Sequence, residues 1–227
     1  YSAGIAFFAL FLIFTGAFVG LSASSSEKEI SFSFLDDHRK SFFAILFLIA
    51  VVIFSIILTF GYMERFASVP YFRQALLASD VAAAEKFINR AIALNYNDLY
   101  LRTYSQVYLV KLSSLAGKGE SLTETEQADL QAAFDQAVRS AQLATEYNPR
   151  NYQNFRLLGS VYEAAGTLGV EGAYEQAVIA YKSASELNPL NPALKIGMAN
   201  ASLGDGKTKD ALAYAEEALK LAPNDAN

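Results

Sequence analysis

The 227-residue chain has no cysteine and a single histidine, His38. Without thiols it can form neither a disulfide nor a thiolate metal site, and cysteine usage gives no indication of its redox compartment. One imidazole cannot build a His-based catalytic pair or a histidine metal cluster. Charge is also sparse: 18 Lys and Arg stand against 23 Asp and Glu, giving a net charge of -5 with no basic block and no acidic tail. Such a balance gives nucleic-acid binding no footing, so no nucleic acid is expected among the partners. No stretch declares a chemistry of its own, and no cofactor or metal is expected.

Apolar side chains are abundant, and unevenly placed. Residues 3–22 include Ile5, Phe7, Phe8, Leu10, Phe11, Leu12, Ile13, Phe14, Phe18 and Val19 and carry no charge. Residues 41–62 repeat the pattern with Phe42, Phe43, Ile45 to Ile49, Val51 to Phe54 and Ile56 to Leu58. About 20 helical residues span roughly 30 Å, the thickness of a bilayer core. Both segments are apolar on all sides, so as core helices of a soluble protein they would need a large amphipathic shell. The expected organisation is a transmembrane helix at 1–23, a polar loop at 24–40, a second transmembrane helix at 41–63 and a repeat domain at 64–227. Lys28, Arg39 and Lys40 in the loop outnumber Arg65 and Arg73 beyond the second span. By the positive-inside rule this places the loop in the cytoplasm and the repeats outside. Within the loop, Asp36-Asp37-His38-Arg39 suggests either a metal or acid/base cluster or a solvated turn, and it lacks the spacing that sets ligands on one helix face. The chain begins at Tyr1 with no basic leader ahead of the apolar run, which reads as a sequence continuing upstream.

Beyond residue 64 one phrase recurs: Ala91 to Asp98 (AIALNYND), Ala144 to Asn151 (ATEYNPRN), Ala184 to Asn191 (ASELNPLN) and Ala218 to Asp225 (ALKLAPND). Each copy fits the end of the second helix of a tetratricopeptide-type hairpin. The third unit matches best, with Phe155, Leu158, Gly159 and Tyr162 on its first helix and Ala177, Tyr181, Ala184 and Pro189 on its second. Small residues allow close helix approach, rings fill the groove, and proline stops the second helix. Gly166, Gly169 and Gly172 mark a widened turn there. The second unit runs from Leu101, Tyr104, Ser105 and Tyr108 to Ala137, Ala141, Ala144 and Pro149. A long insertion with Gly117 and Gly119 separates its helices, and Ser121 with Glu124 or Thr123 with Glu126 offers a capping box. The fourth unit runs from Leu194 and Gly197 through a Gly204-Asp205-Gly206 turn to Ala211, Ala215, Ala218 and Pro223. The first unit is the weakest, with Tyr71, Phe72, Ala84, Ile88 and Ala91, and Pro70 as a kink or restart point. The expected fold is all-α: two transmembrane helices followed by an α-solenoid of about four tetratricopeptide-like hairpins.

In such a hairpin the residue after the first bulky position of helix one faces the groove. That position is Arg102, Arg156 and Lys195 in three successive units, a basic stripe suited to carboxylates or phosphates. Gln106 and Gln153, with Asn154, add neutral hydrogen-bonding groups near it. The alternative is that Lys and Arg simply decorate any exposed helix.

The order of two spans, the YLRTYSQVYLV helix of Tyr100 to Val110, the insertion and the GSVYEAAGTLGVEGA stretch of Gly159 to Ala173 resembles the C-terminal part of bacterial O-antigen ligase/polymerase family membrane proteins that carry tetratricopeptide repeats. The resemblance implies a polytopic glycosyltransferase that uses lipid-diphosphate-linked glycans, with its catalytic loop upstream. No segment here matches that loop, so no catalytic residue transfers. The expected role is a membrane-anchored interaction module whose partner is a protein or an anionic glycan-lipid carrier at the bilayer. A stand-alone two-span envelope or pilus scaffold, and a segment acting directly in glycosyl transfer through Asp36, His38 and Arg39, stand as alternatives.

Overall fold

The computed structural model describes Gly16 and residues 38–117 and 123–222. The expected first span, most of the polar loop, Gly119, Ser121 and Pro223 lie outside the described residues. Among the described residues the regular elements are all α-helices: α1 (His38–Leu77), α2 (Val81–Leu94), α3 (Asp98–Ala116), α4 (Glu124–Tyr147), α5 (Tyr152–Thr167), α6 (Ala173–Leu187), α7 (Pro192–Gly204) and α8 (Thr208–Leu221). The chain divides into two compact units, residues 1–58 and 59–227. In the first, α1 exposes Phe42, Phe47, Leu48, Phe54, Ile56 and Ile57. Ser41–Leu77 is one helical stretch long and apolar enough to cross a membrane, and its most apolar window is entirely uncovered.

Neither a helix end near residue 63 nor a restart at Pro70 occurs: α1 continues through Pro70 to Leu77. A proline inside a helix removes one N–H and costs about 3 kcal/mol. Tertiary packing offsets that cost, because Tyr71, Phe72 and Ala75 join a core with Ile88, Ala91 and Tyr100. The Phe72 and Tyr100 rings stack at 4.6 Å, and the buried Ser68 hydroxyl meets the Tyr100 hydroxyl at 3.0 Å.

The second unit stacks its helices in sequence order. α3 pairs with α4, α5 with α6 and α7 with α8, while α2, α4 and α6 each pack on the hairpin that follows. The first helices α3, α5 and α7 also touch in succession, so they form one continuous layer. Alanine makes the close approach possible: Ala133, Ala137, Ala141 and Ala144 on α4 and Ala177 and Ala184 on α6 are fully buried. On α5, however, the fully buried residues are Asn154, Val161 and Ala165, whereas Phe155, Leu158 and Tyr162 pack at the edges of neighbouring clusters.

The extra length of the second unit is mostly helix rather than loop, with 19 residues in α3 and 24 in α4. Of the two possible capping boxes, Thr123 with Glu126 forms: the Thr123 hydroxyl accepts from the Glu126 N–H, and the Glu126 carboxylate accepts from the Thr123 N–H at 3.0 Å. In the third hairpin, Gly169 and Gly172 adopt φ of 82° and 72°, left-handed conformations that favour glycine.

Gly166 and Gly204 are corrections to the turn assignments, because both lie within helices. Together with Gly159 and Gly197 they form flat surfaces for two rings of α6. A Cβ on Gly159 or Gly197 would lie 2.8–2.9 Å from atoms of the Tyr181 ring, and one on Gly166 or Gly204 would lie 2.5–2.9 Å from Tyr174. The paired positions are two helical turns apart on each of α5, α6 and α7. Each tyrosine ring is therefore clasped between a glycine of α5 and a glycine of α7, joining the third and fourth units.

Candidate interaction surface

Asn97, Asn151 and Asn191 cap α3, α5 and α7 through their side-chain oxygens, which sets a common register for the first helices. Arg102 stands five residues past Asn97 and Arg156 five past Asn151, so the two are equivalent. They lie close enough that the charge of Arg156 acts on the Arg102 guanidinium. Lys195 stands only four residues past Asn191; Ile196 holds the equivalent position. The three-cation stripe is thus two arginines followed by an isoleucine. Lys195 instead meets Glu217 of α8 at 2.6 Å, a pair within the fourth hairpin.

Arg102 is held in a polar clasp between the second and third units. The Asp98 carboxylate accepts from the side-chain amides of Asn151 at 2.7 Å and of Asn148 and Asn154 at 3.2 Å, and its Oδ2 lies 3.7 Å from Arg102 Nη1. The same Arg102 nitrogen donates to Asn154 Oδ1 at 2.8 Å. Asn154, fully buried, also donates to the carbonyls of Ala144 and Asn148. Burial on its own would push the Asp98 carboxyl up, but hydrogen bonds from Asn151 and Asn154, the Arg102 charge and the bond from Asn148 together hold it below its ordinary value. In this copy the Asn148-Pro149-Arg150-Asn151 phrase is therefore more than a helix stop: its amides grip a carboxylate on the preceding hairpin.

Gln106, Gln153 and Arg156 are exposed on the layer of first helices. The register adds two residues that inspection of the sequence missed. Gln106, Ser160 and Asn200 each stand nine residues past a capping asparagine, and all three are exposed. Their shared offset from the asparagines was the available signal. This row offers amide and hydroxyl groups able to donate to or accept from an extended chain. Among the described residues no group of His, Asp and Glu could hold a metal ion.

Two tyrosine hydroxyls are committed to carboxylates. Tyr108 donates to Glu85 at 2.6 Å, with the Tyr104 hydroxyl 3.3 Å away, and Tyr181 donates to Glu163 at 2.7 Å. Burial first, then the carboxylate acceptor, raises both phenols well above their ordinary range. An unfolded tyrosine loses its proton near pH 10, so above that pH the unfolded state binds fewer protons than the folded one. Their contribution to stability is complete below about pH 10 and is lost as pH rises through the folded values. Chemical denaturation followed by circular dichroism should show stability falling above about pH 10, and falling less steeply in the Tyr108→Phe, Tyr181→Phe double variant.

The stacked hairpins, with their first helices in one layer, define an all-α helical repeat of tetratricopeptide-like fold. No family model and no curated protein matches the chain. Among solved structures it is similar to MamA: MamA MSR-1 C2 at 19% identity, covering 64% of this chain and 70% of that one with a TM-score of 0.47, and a further MamA crystal structure at 18% identity, covering 70% and 93% with a TM-score of 0.37. At these identities the likeness is one of helical fold, and neither partner nor activity carries over from it.

Proposed function

We propose that the chain is a membrane-anchored interaction module, the non-catalytic C-terminal part of a surface-polysaccharide ligase or polymerase of the O-antigen type. The observation that carries the anchoring is the uncovered apolar surface of α1. Each Leu, Ile or Phe moved from water to an apolar phase gains about 1.5–3 kcal/mol, so the helix gains on the order of tens of kcal/mol in a bilayer and forgoes it in water. In this reading residues 1–23 and 41–63 are spans joined by the 24–40 loop, and residues 64–227 form the repeat domain on the extracytoplasmic side. The pathway rests on the YLRTYSQVYLV and GSVYEAAGTLGVEGA stretches.

The partner is a protein or an anionic glycan-lipid carrier that meets Gln106, Gln153 and Arg156. Arg102 is restrained by Asp98 with Asn154, and Lys195, one residue out of register with the two arginines, is paired with Glu217. Arg156 is therefore the cation best placed to hold a phosphate or carboxylate. A charge-assisted bond of about 1.5–3 kcal/mol corresponds to roughly 10- to 100-fold in affinity. Arg156→Glu should weaken binding of a lipid diphosphate in nanodiscs by at least about tenfold while the helical circular dichroism is unchanged. Unaltered binding by a folded variant would remove Arg156 from the site.

A further inference from the structure

The last four turns of α1 have two apolar faces, and only one of them is used. Ser68, Tyr71, Phe72 and Ala75, spaced three, one and three residues apart, face the repeat core, and Ser68 and Ala75 are buried. The opposite side carries Tyr62, Phe66, Val69, Arg73, Leu76 and Leu77, at intervals of three or four until the final pair. There Phe66 is 58% exposed, Leu76 60% and Leu77 71%, an apolar stripe with a guanidinium at its centre.

Three occupants suit an apolar stripe: a second copy, another helix, or lipid. A parallel second copy paired along the stripe would set Arg73 against its own equivalent, a like-charge contact that disfavours that arrangement. The charges on this part of the helix are Arg65, which flanks the stripe, and Arg73 within it; the one carboxylate, Glu64, projects from the opposite side. Aromatic and basic residues beside an apolar run suit the headgroup region of a membrane, where Tyr takes the polar boundary and Arg pairs with phosphate. Length is compatible with this. Ser41–Leu77 has 37 residues, about 55 Å of helix, and a bilayer with its headgroup regions is about 40–45 Å thick, so a tilt of about 35–45° brings the end of the stretch to the level of the headgroups.

We propose that the Tyr62 to Leu77 stripe is a binding surface for anionic phospholipid headgroups, with Arg73 pairing to lipid phosphate while Phe66, Val69, Leu76 and Leu77 enter the boundary with the acyl chains. It rests on the membrane-spanning reading of α1 and adds that the outer face of the first repeat helix is itself seated on lipid.

The chain contains no tryptophan, so single reporters are clean. The full chain is placed in bilayers containing phosphatidylglycerol, with Val52→Trp as one reporter and Leu76→Trp as another, and emission is quenched by lipids brominated at deep or shallow acyl positions. The expected result is deep quenching of the Val52→Trp reporter and shallow quenching of the Leu76→Trp reporter. The shallow quenching should fall at least twofold with Arg73→Glu or when phosphatidylcholine replaces the anionic lipid. If the Val52→Trp reporter is quenched and the Leu76→Trp reporter is not, the surface is overturned and the span stands. If neither is quenched, the span falls as well. Efficient disulfide cross-linking of a Leu76→Cys variant between copies would assign the stripe to a second chain and overturn the lipid surface.

Discussion

Replacing Gly159 by alanine should destabilise the repeat unit by about 2 kcal/mol, although the same change in an open helix is favourable by about 1 kcal/mol. The added methyl would lie 2.8–2.9 Å from three atoms of the Tyr181 ring. The ring has no room to retreat: it is 5% exposed, its hydroxyl is held by Glu163 at 2.7 Å, and a Cβ on Gly197 would lie 2.8 Å from its other side. Overpacking of this kind costs about 1–3 kcal/mol, and at a ring fixed on both faces the upper end applies, leaving a net loss after the gain in helix propensity. Gly166→Ala should cost less even though its methyl would lie 2.6–2.7 Å from one edge of the Tyr174 ring, because that ring is only half-buried and has room to shift. The decisive comparison is made in a Tyr181→Ala background, where Gly159→Ala should become neutral or stabilising by up to about 1 kcal/mol. Urea denaturation followed by circular dichroism reads both values, and a stabilising Gly159→Ala in the otherwise unaltered chain would rule out the ring clasp.

Asn154→Ala should cost about 3 kcal/mol, and Asp98→Ala about 2–3 kcal/mol. Asn154 is fully buried and makes bonds to two backbone carbonyls, the Asp98 carboxylate and the Arg102 guanidinium. Truncation removes all four bonds at once and leaves a buried gap, although the Ala144 and Asn148 carbonyls keep the N–H groups of Asn148 and Asn151 and Asp98 keeps the amides of Asn151 and Asn148. The two losses should not add, because Asp98 and Asn154 are joined directly and both meet Arg102; the double variant should fall short of the sum by about 1 kcal/mol or more. The clasp also fixes a pH dependence. Folding lowers the Asp98 value, so its contribution is complete above the ordinary carboxylate range near pH 4 and disappears as pH falls through the folded value. Denaturation midpoints between about pH 5 and pH 2 should fall more steeply for the unaltered chain than for Asp98→Asn. Equal slopes would show that Asp98 has no linked role.

Much of the architecture could be read from residue spacing. The recurring Asn-Pro phrase marked helix ends at Tyr147 and Leu187, and alanines at helical spacing marked the faces on which Ala137, Ala141 and Ala144 are now buried. These signals are local, arising from a ring that cannot continue a helix and from a period of 3.6 residues. The glycines were read less well. Gly166 and Gly204 sit within a residue or two of true turns, and a sequence does not distinguish a glycine needed for its backbone from one needed for its missing side chain. The candidate cations were misaligned for a related reason: the register of α7 is set by the Asn191 cap, which puts Ile196 rather than Lys195 beside the arginine positions.

What the sequence determined by itself was the all-α class, the hairpin repeat and a helix long and apolar enough to cross a membrane, because helix periodicity, proline stops and hydrophobic runs act within a few turns of chain. The tertiary structure alone decided that Arg102 is held between Asp98 and Asn154, that two tyrosines are clasped by four glycines, and that α1 runs through Pro70 with one apolar face in the core and the other open. Each of these depends on residues on different helices, or on which side of one helix meets another, and such distances are fixed only when the hairpins pack.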